Sequence, residues 1–179
     1  MSNEQIISQT RQWILDVVIA CNFCPFAARV MNERKVNYKV VAVEGLPAAL
    51  LTLSEEIDRL NTDDTIDTSF IIFAQAYHSF REYMDMVEAA EKWLRKNKYE
   101  GVYQLASFHP DYCFAGEDTK DASNFTNRSV YPMLHLLRER SIDAALKNYP
   151  HPEKIPNRNI RFARDKGYAY MKMLRDQCL

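Results

Sequence analysis

The stretch SFIIFAQ, residues 69–75, is apolar on both sides of an extended chain, as in a strand that lies in the middle of a sheet. Two further segments are rich in β-branched and aromatic residues, VNYKVVAVE at 36–44 and VYQLASF at 102–108. We therefore predict three strands, with 69–75 as the buried central one.

The segments between these strands have the apolar spacing of helices. Residues 47–60 begin with Pro47 and repeat Leu and Ile at helical intervals, and 79–96 begin with Ser79 and Glu82 at capping-box spacing. Strands that alternate with helices of this length favour β-α-β crossovers. The sequence predicts an α/β fold with a small, largely parallel sheet covered by helices, and a ferredoxin-like α+β arrangement is the alternative.

The rest of the chain is also predicted to be mainly helical. Apolar residues recur at helical spacing over 4–21, and later helices are predicted at 129–139, 141–147 and 157–176. The 179 residues are 47% hydrophobic and include only 4 Gly and 7 Pro, without a linker-like segment. We therefore expect a single domain over 1–179.

Composition argues against several classes of partner. The chain has 23 Lys+Arg and 24 Asp+Glu, so its formal net charge is -1 and nothing global attracts nucleic acid or an acidic membrane. The apolar stretch at 13–21 is interrupted by Asp16 and has neither the flanks of a signal peptide nor the length of a membrane span. We expect a cytoplasmic protein without a nucleic-acid or membrane partner, whose cysteines are thiols or ligands.

A polar loop follows the third strand. In parallel sheets ligands bind beyond the carboxyl ends of the strands, which selects residues 76–79 and the loop from His109 onward. His109 is followed by Pro110 and by Asp111, a carboxylate that could orient an imidazole acting as acid or base. The alternative is that His109 only fixes the strand end through a backbone hydrogen bond.

The second half of this loop carries amides and cations. Asn124 and Asn127 fit either loop-stabilising turns or amide donors to an oxyanion. A helix that begins near residue 129, beside Arg128, would favour an anion. Its spacing would place His135 on a polar face together with Arg128, Tyr131 and Arg138, and a solvated surface is the alternative.

Cys24 is the candidate nucleophile. Pro25 is suited to the first position of a helix, which would place Cys24 at its N-cap, where amides and the helix dipole favour a thiolate. Cys21 continues an apolar stripe and is interpreted as a buried hydrophobe. A zinc site formed by Cys21, Cys24, His109 and Cys113 is the weaker alternative, so no metal is predicted.

Four segments resemble the bacterial domain of unknown function 1415 family over nearly the whole chain: CNFCPFA, SFHPDY, the D-x-x-N-x-T-N-R-S run at 121–129, and YPMLHLLRERSID. The family brings no activity, and its L-N-x-C-P-F-A pattern does not include Cys21 or Cys113. The resemblance implies these positions of interest: Asn22, Cys24, His109, Asp111, Asn124, Asn127, Arg128 and His135.

Taken together, these residues predict one polar pocket for a small anionic ligand. As an enzyme, the protein would use Cys24 as nucleophile or thiol base, His109 held by Asp111 as acid or base, and Arg128 with the asparagines as a clamp, in hydrolysis or group transfer. The alternative is a non-catalytic module that binds a small molecule or partner. No cofactor motif is present, so no cofactor is expected. An arginine row at 158, 161 and 164 is a third place for an anion.

Overall fold

The structure is a computed structural model that describes residues 1–42, 45–147 and 149–179. The predicted strand end at 43–44 lies outside the described residues. Helices and strands follow one another in this order: α1 (Asn3–Trp13), a π-helix (Ile14–Ile19), α2 (Ala27–Asn32), β1 (Val36–Val40), α3 (Leu46–Thr62), β2 (Thr68–Ile72), α4 (Phe80–Lys96), β3 (Tyr103–Phe108), a 3₁₀ turn (Ala122–Thr126), β4 (Met133–Arg138), α5 (Glu139–Leu146), a 3₁₀ turn (Pro152–Lys154), α6 (Ile155–Lys166) and α7 (Tyr168–Asp176).

Four strands form one sheet in the order β1-β2-β4-β3. The α/β class and the central position of β2 are confirmed, because β1 pairs with β2 in parallel and α3 connects them. The prediction of a largely parallel sheet is wrong, since β4 runs antiparallel to both of its neighbours, β2 and β3. The element order β-α-β-α-β-β also differs from the β-α-β-β-α-β order of the ferredoxin-like alternative.

β4 is the element whose type was predicted wrongly. The run MLHLLR is apolar on both of its strand faces, and such a run fits a helix as well as a strand buried on both sides. Pro132 stands just before it and disfavours continuation of a helix from residue 129. Hydrogen bonding to strands on both sides then stabilises the extended form, which sequence spacing does not encode.

Helices cover both faces of the sheet. On one face, Ile71 and Leu134 pack with Leu53 of α3 and Tyr83 of α4. The opposite face, called here the α1 face, buries Phe70, Ile72 and Met133 against α1, the π-helix and α7. The predicted last helix is divided into α6 and α7 at Gly167, whose φ of 83° suits a residue without a side chain. No helix of the described ranges is long and apolar enough to cross a membrane.

Candidate ligand-binding cavity

A cavity of about 310 Å³ lies between the α1 face of the sheet and the helices that cover it. Its lining includes residues at the beginnings of β1, β2 and β3, namely Val36, Thr68 and Gln104, and also Phe108 at the end of β3. Its lining is mainly apolar, and the predicted site residues Cys24 and His135 both contribute to it. Other lining residues used below are Trp13, Ile14, Val18, Asp67, Thr68, Phe70, Gln104, Ala106, Phe108 and Arg138.

The floor of the cavity is a row of residues that face one another across the four strands. The pairing register aligns Tyr38, Phe70, His135 and Ala106. The imidazole of His135 stacks on Phe70 with centroids 3.9 Å apart and planes 10° apart, and Phe70 stacks on Tyr38 at 5.8 Å. The row ends in the small Ala106, so open space remains beside the imidazole.

The roof comes from the end of the first helical segment. Ile14 and Val18 of the π-helix line the cavity, and Trp13 is fixed by a hydrogen bond from Nε1 to the Arg128 carbonyl at 3.1 Å. The wider i→i+5 turn is seen in the bond from the Ala20 amide to the Leu15 carbonyl at 3.0 Å. π-helical turns are rare and occur frequently at functional sites. The sequence spacing predicted this helix without indicating its wider turn.

Hydrogen bonds fix the protonation state of His135. Nε2 lies 2.5 Å from the Thr68 hydroxyl, and that hydroxyl lies 2.6 Å from the Leu136 carbonyl, a group that can only accept. The single Thr68 proton therefore goes to Leu136, so Nε2 of His135 must carry a hydrogen and donate it to Thr68. Burial lowers the pKa of His135 to about 3, which keeps the imidazole neutral at neutral pH.

Cys24 lines the cavity but is not an N-cap. α2 begins at Ala27 with Phe26 as its cap, because residues 24–27 first form a turn in which the Ala27 amide bonds to the Cys24 carbonyl at 3.3 Å. The predicted helix start at Pro25 is therefore wrong. The expected fall in the thiol pKa is also wrong: burial raises the pKa of Cys24, and the opposing amides of Phe26 and Ala27 and the charge of Arg158 are weaker.

His109 lies on the other face of the sheet. Its ring packs against Phe80 and Tyr83 of α4, with centroids 5.3 and 5.0 Å away. Side chains alternate along a strand, so Phe108 lines the cavity whereas the next residue, His109, points away from it. The structure thus does not bring Cys24 and His109 into one pocket.

Both ring nitrogens of His109 bond to the backbone. The Asp111 amide donates to Nδ1 at 2.9 Å, so Nε2 carries the hydrogen and donates it to the Tyr77 carbonyl, also at 2.9 Å. The Asp111 carboxylate is exposed, and its backbone rather than its side chain holds the imidazole. Burial lowers the pKa of His109. This geometry favours the alternative in which His109 fixes the end of β3.

The side chains of Asn124 and Asn127 bond to backbone groups of the loop and of the strand that precedes it. Asn124 accepts from the Phe114 amide at 3.0 Å and donates to the Asp118 carbonyl at 2.9 Å. Asn127 donates to the Ser107 carbonyl at 3.0 Å. These are the contacts of loop-stabilising amides.

Arg128 begins no helix, and its guanidinium is buried. It donates to the carbonyls of Tyr112 at 2.9 Å and Thr119 at 2.8 Å, and it lies 4.9 Å from the ring centroid of Phe125. The predicted helix start near residue 129 is therefore wrong, as is the helical face that would have joined Arg128 to His135, and the anion site loses the helix on which it depended.

Asn22 closes the π-helix. Its φ of 54° is left-handed, and the Phe23 amide bonds back to the Val18 carbonyl at 2.8 Å while the Asn22 amide bonds to the Ile19 carbonyl at 2.9 Å. This is a Schellman turn, in which asparagine is tolerated better than most residues. The Asn22 side chain is exposed, and the backbone carbonyl of Asn22 accepts a hydrogen bond from the Arg158 guanidinium.

The remaining cysteines are separated. Cys21 and Cys178 are buried in the core of the α1 face, and Cys113 lies in the loop, with its sulfur 3.5 Å from the Glu117 carbonyl. Cys178 is 3% exposed. Over the ranges that the structure describes, no three His, Cys, Asp or Glu side chains form a group suited to a metal ion.

The predicted arginine row lies on α6, and Arg158 and Arg164 of this row bond to other residues of the protein. Arg164 forms ion pairs with Glu117 at 2.8 Å and Asp121 at 3.0 Å, and its guanidinium holds the pKa of Asp121 well below its usual range. Arg158 donates to the hydroxyl of Tyr149 at 3.0 Å.

A second pocket of about 480 Å³ lies where the strand-end rule placed one. Gln75, Ala76, Tyr77 and His78 line it after β2, together with residues of α3 and α4. None of the predicted site residues lines it. The segment 76–79 is thus correctly placed at a crevice, but the cavity that contains Cys24 and His135 lies elsewhere.

Sequence reasoning missed Trp13, Thr68, Phe70 and Ala106 as lining residues. A strand pattern shows which residues share a face, but only the pairing register shows which of them are neighbours across strands. The alternation within β2 was the one available signal, since it places Thr68 and Phe70 on one face.

Comparison with known proteins gives one family. A family model described as a protein of unknown function (DUF1415) matches residues 5–173 of the 179. No curated protein and no solved structure matches the chain.

Proposed function

The chain belongs to the DUF1415 family of proteins of unknown function, and for this member we propose a binding function, in which the cavity on the α1 face takes up a small, largely apolar molecule. The observation that carries the proposal is the cavity itself. Protein interiors are packed so densely that voids larger than a water molecule are few, and about 310 Å³ falls in the range of small-molecule sites.

The composition of the lining supports an uncharged ligand better than the anion predicted from the sequence. Two arginines line the cavity: the guanidinium of Arg138 donates to carbonyls at the end of α3, and Arg29 is exposed to solvent. Asp67 accepts from Ser141 at 3.3 Å and faces Lys35 at 3.9 Å. Apolar walls with a few polar groups are typical of sites that orient a ligand by hydrogen bonds. A cytoplasmic location and the absence of a nucleic-acid partner stay predictions.

The test is to locate the binding of an apolar probe. Indene titrated into isotope-labelled protein should shift the backbone amide resonances of Phe70, Ala106 and His135, because an aromatic ring that enters the cavity lies against this row. The resonance of Leu53, buried on the opposite face, is the internal control and should stay in place. Shifts confined to the opposite face, or none at saturating indene, would refute the proposal.

A second candidate keeps the enzyme class, and one observation favours it: Cys24 and His135 line the same cavity. Thiol catalysis needs a thiolate, usually formed with help from a base or a positive charge. Burial acts against both groups, because it raises the pKa of Cys24 and lowers that of His135. The binding function is therefore the better supported of the two.

Thiol reactivity separates these candidates. At pH 7.5 we expect iodoacetamide to alkylate Cys24 more slowly in the folded protein than in urea, because its raised pKa lowers the thiolate fraction. Cys178 should also be slow, since burial raises its pKa to about 11. Mass mapping of the labelled peptides over time measures both rates.

The variant His109→Ala is the control, because His109 lies on the other face of the sheet and should leave the Cys24 rate unchanged. A Cys24 that reacts faster in the folded state than in urea would favour the enzyme over the binding module.

A further inference from the structure

We propose that the ligand of this cavity carries an uncharged hydrogen-bond donor and that Nδ1 of His135 accepts its hydrogen. The inference rests on the proposed binding function and specifies the chemistry of its ligand. It assigns to His135 the role of selecting a donor group within an otherwise apolar site.

The hydrogen bonds from His135 to Thr68 and from Thr68 to the Leu136 carbonyl form a chain that runs in one direction. A carbonyl accepts and never donates, and a hydroxyl has one hydrogen, so every bond in this chain has a fixed direction. Nε2 is the donor at its start. In a neutral imidazole the other nitrogen, Nδ1, then has a lone pair and no hydrogen, and can only accept.

The lone pair on Nδ1 of His135 is free to accept a hydrogen bond from a molecule in the cavity. Nδ1 of His135 makes no hydrogen bond to any described residue. Among the described residues, the Tyr77 hydroxyl is the only side-chain nitrogen or oxygen atom that is fully enclosed and makes no hydrogen bond. Nδ1 of His135 also makes no hydrogen bond, so it is not fully enclosed. The imidazole lines the cavity, and Nδ1 is therefore reached from it.

Strand pairing and ring stacking hold the imidazole of His135 in one orientation. Thr68 and Leu136 are on β2 and β4, which pair along their whole lengths, and the stacking of His135 on Phe70 fixes the plane of the imidazole. An acceptor held in one orientation inside an apolar site discriminates strongly, because a ligand that presents a second acceptor leaves both groups unpaired. An N–H or O–H group fits this position, whereas an ether, a carbonyl or a carboxylate oxygen does not.

Three probes of nearly one shape test the inference. Indole carries an N–H donor, benzofuran has an oxygen in its place, and indene has only carbon and hydrogen. With the wild-type protein we expect indole to bind about two- to tenfold more tightly than indene or benzofuran, the range of one net hydrogen bond. Benzoate, as the anionic probe, should bind most weakly. Dissociation constants come from calorimetric titration.

His135→Phe is the matched variant, because it keeps an aromatic ring on Phe70 and removes Nδ1. It should lose the preference for indole over indene, whatever its affinity for indene itself. The ratio of the indole and indene constants in the two proteins isolates the hydrogen bond from the packing. If this variant does not fold, the order of the probes in the wild-type protein decides the question.

The outcomes separate the two proposals. Equal binding of indole, indene and benzofuran overturns the donor inference and leaves the apolar cavity in place. An unchanged indole preference in His135→Phe overturns it as well. Failure of all three probes to bind overturns the binding function and the inference with it.

Discussion

Replacing Arg138 with methionine should lower the free energy of unfolding by about 3–5 kcal/mol, because several buried acceptors would lose a donor at about 1–3 kcal/mol each. Arg138 is 6% exposed at the end of β4. Its guanidinium donates to the carbonyls of Leu60, of Asp63 at 3.0 Å and of Ile66 at 3.1 Å, and to the Tyr103 hydroxyl at 3.3 Å.

These acceptors explain the size of the effect. The last carbonyls of a helix have no partner within the helix, and Arg138 supplies one at the end of α3 and at the turn that leads into β2. Methionine fills a similar volume but donates no hydrogen bond, so the carbonyls of Leu60 and Ile66 would lose this donor and that of Asp63 would keep only the Ile66 amide, at 3.4 Å. Urea unfolding followed by circular dichroism measures the difference.

Arg140→Met is the matched control, since Arg140 pairs with Asp64 at 2.6 Å on the surface, where both side chains are exposed. Exposed ion pairs contribute little, so this variant should change the free energy of unfolding by less than about 1 kcal/mol. Similar losses in the two variants would contradict a special role for Arg138.

The second large effect is expected from Ala106→Leu, which should weaken indene binding by about tenfold or more. Ala106 is the small residue at the end of the cross-strand row, directly beside His135. A leucine there extends three additional carbon atoms into the space that the ligand needs, and overpacking of this kind costs about 1–3 kcal/mol. Titration calorimetry with indene gives the ratio.

Stability distinguishes a filled cavity from a damaged fold. If the leucine occupies the cavity, the urea midpoint should stay close to that of the wild type while binding is lost. Ala169→Leu, at an exposed position of α7, makes the same chemical change away from the cavity and should affect neither quantity. Full indene affinity in Ala106→Leu would place the binding site elsewhere.

The sequence by itself determined the elements with a single dominant period. The first four residues of SFIIFAQ lie in β2, which ends at Ile72, and the two long helices α3 and α4 lie where a 3.6-residue period predicted them. It did not determine β4: the apolar run MLHLLR suits either form, and pairing with two neighbouring strands decides between them.

For the site residues, too, the sequence indicated some features and the tertiary structure decided others. The asparagines were predicted either to stabilise the loop or to donate to an oxyanion. In the structure Asn124 and Arg128 bond to the backbone of their own loop and Asn127 bonds to Ser107 at the end of β3, so their pattern records how the loop folds. His135 was selected from the family resemblance and from a helical face that does not form, and it lines the cavity because strand alternation places it on the α1 face.

Only the tertiary structure decided where the cavity is and what it can accept. Trp13, Phe70, Ala106 and His135 are far apart in the chain, and the helix over the sheet and the register of four strands bring them together. The same pairing orients Thr68 between His135 and the Leu136 carbonyl, which fixes the hydrogen on Nε2. A sequence specifies the period of each element, whereas the open lone pair of Nδ1 depends on which residues of different elements become neighbours.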